Sequence, residues 1–275
     1  MGIPVVAAAA EAATGGLEIS LQVETVVGLS LASLRILGWL LLAPPFAYKG
    51  FPAQVKALLA LALALVVQPD VSGLVEGGLE LGPLAVAAAQ ELVVGTALGW
   101  LCMLVFAAVQ SAGDLLDIFG GFQLAQGYDP LMQSGSSVLG RIYQLTALAL
   151  LFASGAHLVV LRGLLLTYEV LPVGQGVDLS TVAEVATRGV GGLLLAALQV
   201  AGPIIAVLFL TDVGLGLLTR VAPQLNAFSL GFPLKILITL VLVGLGAALL
   251  PDVVTGLADQ MAETVVGTAR VSGDG

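Results

Sequence analysis

Residues 220–235 read RVAPQLNAFSLGFPLK and form a polar, proline-containing junction in a very apolar part of the chain. The run FLTDVGLGLLT precedes the junction, and ILITLVLVGLGAALL follows it. An arginine, a glutamine, an asparagine, two prolines and a lysine are therefore gathered between two stretches that carry one charge between them. Such a junction predicts a chain reversal between two long apolar helices.

The composition of the whole chain predicts that it lies in a bilayer or packs against other chains like it. Of its 275 residues, 59% are hydrophobic and only 10% are charged, whereas soluble domains carry about 25% charged residues. A soluble protein of this size cannot hide so much apolar surface. The net charge of −9 argues against a nucleic-acid partner, because no basic stripe is available to neutralise phosphates.

The apolar runs have uneven lengths. A spanning helix needs about 20 apolar residues, so run 55–67 is short for a span and run 138–171 is too long for one. We therefore predict an all-α, polytopic membrane protein of tilted, kinked helical hairpins. The sparse basic residues fit six spans with both chain ends outside. The runs are 26–43, 55–67, 84–109, 138–171, 189–219 and 236–250.

Ionisable residues lie within or beside these runs. A charge at the bilayer centre costs at least about 2.5 kcal/mol, so each is expected to be paired, or to face water or another protein. Two interpretations stay open: pairing that fixes the register of the helices, and a proton relay or the lining of an aqueous path. The single His157 is predicted to be a helix-end residue. The ionisable residues are Arg35, Glu91, Asp114, Asp117, Arg162 and Asp212.

Glycines occur at spacings that allow close helix packing. Gly95 and Gly99 form a GxxxG pair, and further glycines follow in the later runs. Packing within the chain and packing against other subunits both remain possible. The sequence contains no HExxH motif, no phosphate-binding loop and no assembled Ser-His-Asp set, and its one Cys and one His cannot build a zinc site. We predict a protein that is not an enzyme and needs no metal or cofactor.

The segment 110–130, QSAGDLLDIFGGFQLAQGYDP, differs from the other connections. It begins as a helix, gains two adjacent glycines and ends in a Tyr-Asp-Pro turn. An apolar, aromatic and flexible stretch between two membrane runs suits either a plug in a lumen or a plain re-entrant connector.

Four stretches resemble the FliR family of the flagellar type III export apparatus. The junction matches R-x-A-P-Q-L-N-x-F-S-x-G-F-P-L-K, and 40–65, 112–130 and 138–152 resemble the family's first hairpin, its central segment and the helix that follows. The resemblance implies a membrane domain over 25–255, with an N-terminal extension at 1–24 and a C-terminal tail at 256–275.

The resemblance also implies a function and partners. FliR-like proteins pack with FliP and FliQ subunits in a helical export gate, with FlhB as a neighbour, and unfolded substrates cross the bacterial inner membrane through its centre at the flagellar basal body. An injectisome subunit of the SctT type is the near alternative. A small-solute secondary transporter is the rival from another class, but it predicts internal repeats and a midplane polar site that the sequence lacks.

Candidate site residues follow from these matches. In the family, the loop after the AG[DE]L helix acts as a pore plug. This chain departs from the family pattern there, so the seal is expected among Phe119, Gly120, Gly121, Phe122, Leu124 and Tyr128. An apolar ring suits a gate that must not hold unfolded chains tightly.

The junction gives the second set of candidates. Pro223 and Pro233 are predicted to break helices around a turn in which Gln224 and Asn226 satisfy the freed backbone groups. The junction is interpreted either as a structural corner or as a contact with FliP-, FliQ- or FlhB-like subunits. The candidates are Arg220, Pro223, Gln224, Asn226, Phe228, Gly231, Pro233 and Lys235.

Overall fold

The computed structural model describes residues 23–48, 50–67, 81–122, 137–222 and 227–273, with the backbone alone at 23, 24 and 227–230. The described residues form α-helices joined by short turns and contain no strand, which confirms the all-α prediction. The helices are α1 (Val23–Leu42), α2 (Ala53–Val67), α3 (Leu81–Gly120), α4 (Val138–Ala153), α5 (Ala156–Val170), α6 (Leu179–Val221), α7 (Ala227–Gly246) and, after a 3-10 turn at Ala247–Leu249, α8 (Leu250–Gly273).

Helix α3 is the centre of the fold, because α1, α4, α6 and α8 all pack against it. Its interface with α1 depends on the GxxxG pair. A Cβ atom at Gly95 would overlap the carbonyl oxygen of Arg35, and one at Gly99 would lie 2.8 Å from the carbonyl oxygen of Trp39. These two glycines therefore pack within the chain. By contrast, Gly191, Gly192, Gly214, Gly216 and Gly244 have open space where a Cβ atom would be.

The long run 138–171 is divided into two helices, as its length predicts. Gly155 has φ +75°, a left-handed conformation that favours glycine, and it ends α4 and begins α5. The two helices are bent by 77° at this point. His157 is the second residue of α5, and its Nδ1 lies 3.2 Å from the carbonyl oxygen of Leu151, which confirms its helix-end position.

Four stretches of the described residues are long and apolar enough to cross a bilayer, and the bent α4–α5 pair raises the number to five. The stretches are Thr25–Leu42, Leu81–Gly120, Leu179–Val221 and Gly231–Gly273. Helix α2, with 15 residues, is shorter than a span needs, so the six-span topology has only five candidates here. Helices of 40 and 43 residues measure about 60–65 Å, twice the thickness of a hydrocarbon core, and must tilt or project beyond it.

The C-terminal half of α6 and helix α7 form an apolar hairpin that is largely uncovered. In an apolar window of 18 residues within Leu179–Val221 only 22% of the residues are buried, and in the corresponding window within Gly231–Gly273 only 11% are. Asp178 caps the far end of α6 by accepting hydrogen bonds from the backbone N–H groups of Ser180 and Thr181, both at 3.1 Å. Hydrogen bonds from the Ser180 and Thr181 side chains hold the pKa of the Asp178 carboxyl well below its usual value.

Candidate functional site

The buried ion pair between Arg35 of α1 and Glu91 of α3 is the most enclosed polar site among the described residues. Arg35 donates from Nε to Glu91 Oε2 at 2.6 Å and from Nη2 to Oε1 at 2.9 Å, and both side chains are 0% exposed. A two-point pair of this kind fixes both the distance and the rotation between two helices. Of the two interpretations of the ionisable residues, pairing that fixes the register of the helices describes Arg35 and Glu91.

The same pair holds the loop after α5. Arg35 Nη1 donates to the carbonyl oxygen of Leu171 at 2.9 Å, and the N–H of Gly174 donates to Glu91 Oε1 at 2.8 Å. The guanidinium also stacks 4.3 Å from the ring centre of Tyr168, whose hydroxyl donates to Ala32 O at 2.8 Å. The cluster therefore joins α1, α3 and α5 around one buried ion pair. Sequence reasoning missed the loop because backbone carbonyl and N–H groups carry no residue signature.

The C-terminal end of α3 crosses the start of α4 at close range. A Cβ atom at Gly113 would lie 2.6 Å from the Cα atom of Gly140, and the half-buried Asp114 lies against the other side of Gly140. Buried Asp117 accepts hydrogen bonds from the N–H groups of Val138 at 3.0 Å and Leu139 at 3.1 Å. A carboxylate at a helix N-terminus satisfies free N–H groups and meets the positive end of the helix dipole.

The first predicted plug residues lie where α3 ends. Phe119 is exposed, Phe122 is half-buried, and Gly121 has φ +84°. Gly120 is packed so closely on α7 that a Cβ atom there would lie 2.8 Å from Thr239 Cγ2, and one at Gly121 would lie 3.5 Å from the Phe232 ring. The base of the predicted plug is thus seated on α7. Leu124 and Tyr128 lie outside the described residues.

The junction is described only at its two sides. Arg220 is exposed in the last turn of α6, where a cation favours the helix dipole. A Cβ atom at Gly231 would lie 3.1 Å from Leu215 Cδ1, so this glycine packs inside the α6–α7 hairpin. Pro223, Gln224 and Asn226 lie outside the described residues, and so does the side chain of Phe228.

The prediction that Pro233 breaks a helix is wrong. Pro233 lies inside α7, which runs unbroken from Ala227 to Gly246, and Pro203 lies inside α6 in the same way. Pro233 is the seventh residue of α7, so its ring removes a single hydrogen bond early in the helix. Membrane helices tolerate such a proline, since neighbouring groups and local adjustments satisfy the freed carbonyl.

Two further intramembrane charges have different environments. Lys235 Nζ of α7 lies 2.7 Å from Asp212 Oδ2 of α6, so this pair joins the two helices of the hairpin. Arg162 is exposed on α5, and no carboxylate among the described residues lies within 4.0 Å of it. Asp212 is therefore also paired, whereas Arg162 is exposed. The described residues contain no cluster of three His, Cys, Asp or Glu side chains able to hold a metal ion.

Comparison with known proteins agrees with the architecture. The chain is 33% identical to the flagellar biosynthetic protein FliR of Escherichia coli strain K12, over 79% of this chain and 82% of that protein. It is 29% identical to the FliR of Bacillus subtilis over 77% of this chain and 83% of that protein. It is 30% identical to the Yop proteins translocation protein T of Yersinia pestis, over 63% of this chain and 67% of that protein.

The match to a family model covers most of the chain. The model of the bacterial export proteins, family 1, matches residues 26–261, which include all of the described helices except the first residues of α1 and the end of α8. The matched region contains the Arg35–Glu91 pair, the α3–α4 crossing and the junction. The chain is a member of the bacterial export proteins, family 1.

Proposed function

We propose that this chain is a subunit of a flagellar type III export gate in the bacterial inner membrane. In this proposal it packs with FliP-like and FliQ-like subunits beside an FlhB-like protein at the flagellar basal body. Unfolded flagellar substrates cross the membrane through the pore that these subunits share. The proposal rests on the family of the chain and on relatives named for flagellar biosynthesis that match about four fifths of its length.

Among the structural observations, the uncovered α6–α7 hairpin gives the main support for the proposal. Its exposed large apolar side chains run from Leu194 to Val221 on α6 and from Leu234 to Leu245 on α7, and glycines with open space lie between them, at 214, 216 and 244. Glycines on an uncovered membrane helix let another helix approach closely. The hairpin is therefore suited to pack against helices of other subunits, and the long, tilted helices suit a helical assembly better than a flat set of spans.

The pore-plug proposal concerns the end of α3. Phe119, Gly120, Gly121 and Phe122 begin the plug, and Leu124 and Tyr128 continue it beyond the described residues. Support comes from the exposed ring of Phe119 and from the positive φ of Gly121, which turns the chain away from the helix axis. Apolar rings at this position can exclude water and ions while leaving a passing chain unbound.

The subunit-contact proposal concerns the junction. Arg220, Pro223, Gln224, Asn226, Phe228, Gly231, Pro233 and Lys235 are proposed to contact the FliP-, FliQ- or FlhB-like neighbours or to shape the corner that does so. The exposed position of Arg220 and the exposed Pro233 support a contact role. Gly231 supports the corner role, since it packs on Leu215 within the hairpin.

An injectisome role of the SctT type is the second candidate, because injectisome relatives are also similar to the chain. Besides the Yersinia protein, the surface presentation of antigens protein SpaR of Shigella flexneri is 28% identical over 56% of this chain. The flagellar relatives cover more of the chain at similar identity, which favours the flagellar assignment.

Co-purification tests the proposed function. The chain is expressed with the FliP-like and FliQ-like proteins of the same organism, with a tag on this chain only, and the mass of the extracted complex is measured. One stable complex that contains all three proteins is expected. Recovery of this chain alone or as a homo-oligomer would contradict the proposal, as would solute transport by the chain alone in liposomes.

A further inference from the structure

A groove of about 520 Å³ lies between the turn that joins α1 to α2, the middle of α3 and the first half of α4. Its volume is within the range of about 300–1,000 Å³ that is typical of small-molecule sites. Most of its wall is apolar, formed by Leu42, Pro44, Pro45, Met103, Phe106 and Leu148. The proposed function makes no use of this groove.

One end of the groove carries a fixed positive charge. Arg141, in the first turn of α4, donates from Nη1 to Gln144 Oε1 at 2.9 Å and from Nη2 to the Tyr48 hydroxyl at 3.3 Å. Its guanidinium carbon lies 5.7 Å from the centre of the Tyr48 ring. Gln110 of α3 lines the same end. These contacts hold the guanidinium in place but leave its charge without a counter-ion, since no carboxylate in the described part of the chain lies within 4.0 Å.

The chemistry of the groove restricts what can fill it. A soluble anion would neutralise Arg141 but would leave the apolar wall exposed, where Met103 alone is 39% exposed. An apolar helix would cover the wall but would bury the charge unpaired, which is costly in a membrane. A molecule with a phosphate at one end and hydrocarbon behind it meets both requirements.

We propose that this groove binds one anionic phospholipid. Its phosphate accepts hydrogen bonds from Arg141, with the Tyr48 hydroxyl and the Gln110 and Gln144 amides around it. An acyl chain lies along Phe106, Met103 and Leu148. The bound lipid completes the surface between the α1–α2 turn and α4, and it supplies the negative charge that the described residues do not provide to Arg141.

Lipid retention tests the proposal. The full chain is reconstituted into vesicles of four fifths phosphatidylcholine and one fifth phosphatidylglycerol, extracted in mild detergent, and its bound lipids are counted by native mass spectrometry. One retained phosphatidylglycerol per chain is expected. Removing a charge-assisted hydrogen bond costs about 1.5–3 kcal/mol, so Arg141→Gln should weaken retention about tenfold or more. Arg188→Gln is the matched control, because this exposed arginine of α6 is already paired with Glu184, and its retention should equal that of the unchanged chain.

Two further experiments distinguish the possible occupants of the groove and show whether lipid loss results from misfolding. Arg141→Lys keeps the charge but not the forked geometry, and intermediate retention at an unchanged elution volume is expected. Millimolar inorganic phosphate should not displace the lipid. Equal retention of both lipids, unchanged retention in a folded Arg141→Gln chain, displacement by phosphate, or capture of a protein instead of a lipid by a photocrosslinker at Met103 in the assembled complex would each overturn the proposal.

Discussion

Arg35 and Glu91 bind each other at two points, at 2.6 and 2.9 Å, with both side chains 0% exposed. The pair also holds the loop after α5 through Leu171 and Gly174. Three helices that are distant in sequence are thus fixed around one buried ion pair. Such a pair is expected to specify the arrangement of the helices, because it can form in only one register.

Loss of one member of this pair should destabilise the chain strongly. Glu91→Gln leaves Arg35 buried without its counter-charge, and breaking a buried pair costs about 3–5 kcal/mol. We expect the folded, monodisperse fraction in detergent to fall sharply, as measured by fluorescence-detected size-exclusion chromatography after heating. The double variant Arg35→Met/Glu91→Leu removes both charges and should recover part of the loss, since only the loop contacts then remain unsatisfied. A Glu91→Gln chain as heat-resistant as the unchanged chain would contradict this assignment.

Alanine substitutions should have two different effects on heat resistance, depending on whether the glycine is tightly packed or has open space. Gly113→Ala forces a Cβ atom against the backbone of Gly140, and overpacking of this kind costs about 1–3 kcal/mol. Gly214→Ala has open space and should leave the heat resistance of the isolated chain unchanged or slightly higher, because alanine favours a helix. The expected defect of Gly214→Ala is in co-purification with the FliP-like and FliQ-like proteins. Equal heat resistance of the two variants would show that the α3–α4 crossing is not tight.

Asp117 should stabilise the start of α4. Asp117→Ala leaves the N–H groups of Val138 and Leu139 unpaired, and loss of an N-terminal cap costs about 1 kcal/mol, with more expected at a buried site. The midpoint of thermal aggregation should fall measurably. Asp252→Ala is the control, since Asp252 is an exposed acidic residue in the first turn of α8, and its effect should be small. Equal effects of both variants would argue against a specific capping role.

The function of the predicted plug should depend on the contact between Gly120 and α7. Gly120→Ala places a Cβ atom against Thr239 Cγ2, so the end of α3 and the side chain of Thr239 must move apart. If the plug begins here, secretion of flagellar substrates should fall in cells that carry only this variant. The double variant Gly120→Ala/Thr239→Ala removes the obstructing atoms and should restore secretion. A defect that persists in the double variant would assign the effect to Gly120 itself and not to its contact with α7.

Much of the fold is encoded in local patterns of the sequence. The lengths of the apolar runs predict the short α2 and the broken 138–171 region, because the rise per residue of a helix and the thickness of a bilayer are both fixed. The GxxxG pair indicates close packing, but the sequence cannot choose a partner: Gly95 and Gly99 pack on α1, whereas Gly214 and Gly216 have open space. The interpretation of Pro233 fails because a proline near the start of a membrane helix removes only one hydrogen bond.

The candidate sites are less accessible to sequence reasoning. Opposite charges can be counted, but nothing local to Arg35 indicates Glu91 instead of Asp114 or Asp212 as its partner. The role of Asp117 depends on a helix that begins 21 residues later, and the loop contacts of Arg35 use backbone atoms. These contacts arise only from tertiary packing, which brings together groups that are far apart in the sequence and follow no regular sequence spacing.

The dependence of α5 on α8 has a consequence for biosynthesis. Helix α5 packs chiefly on α8, where Gly163 meets Ala262 and the end of α8 reaches the backbone of Val170. During synthesis, α5 is complete at residue 170, whereas α8 begins only at residue 250. Until the last helix is complete, α5 is therefore held chiefly at its C-terminal end, where Tyr168 and the following loop contact the Arg35–Glu91 pair. A chain truncated before residue 250 lacks the helix on which α5 chiefly packs, so quality-control proteases would encounter a more loosely packed product than the full-length chain.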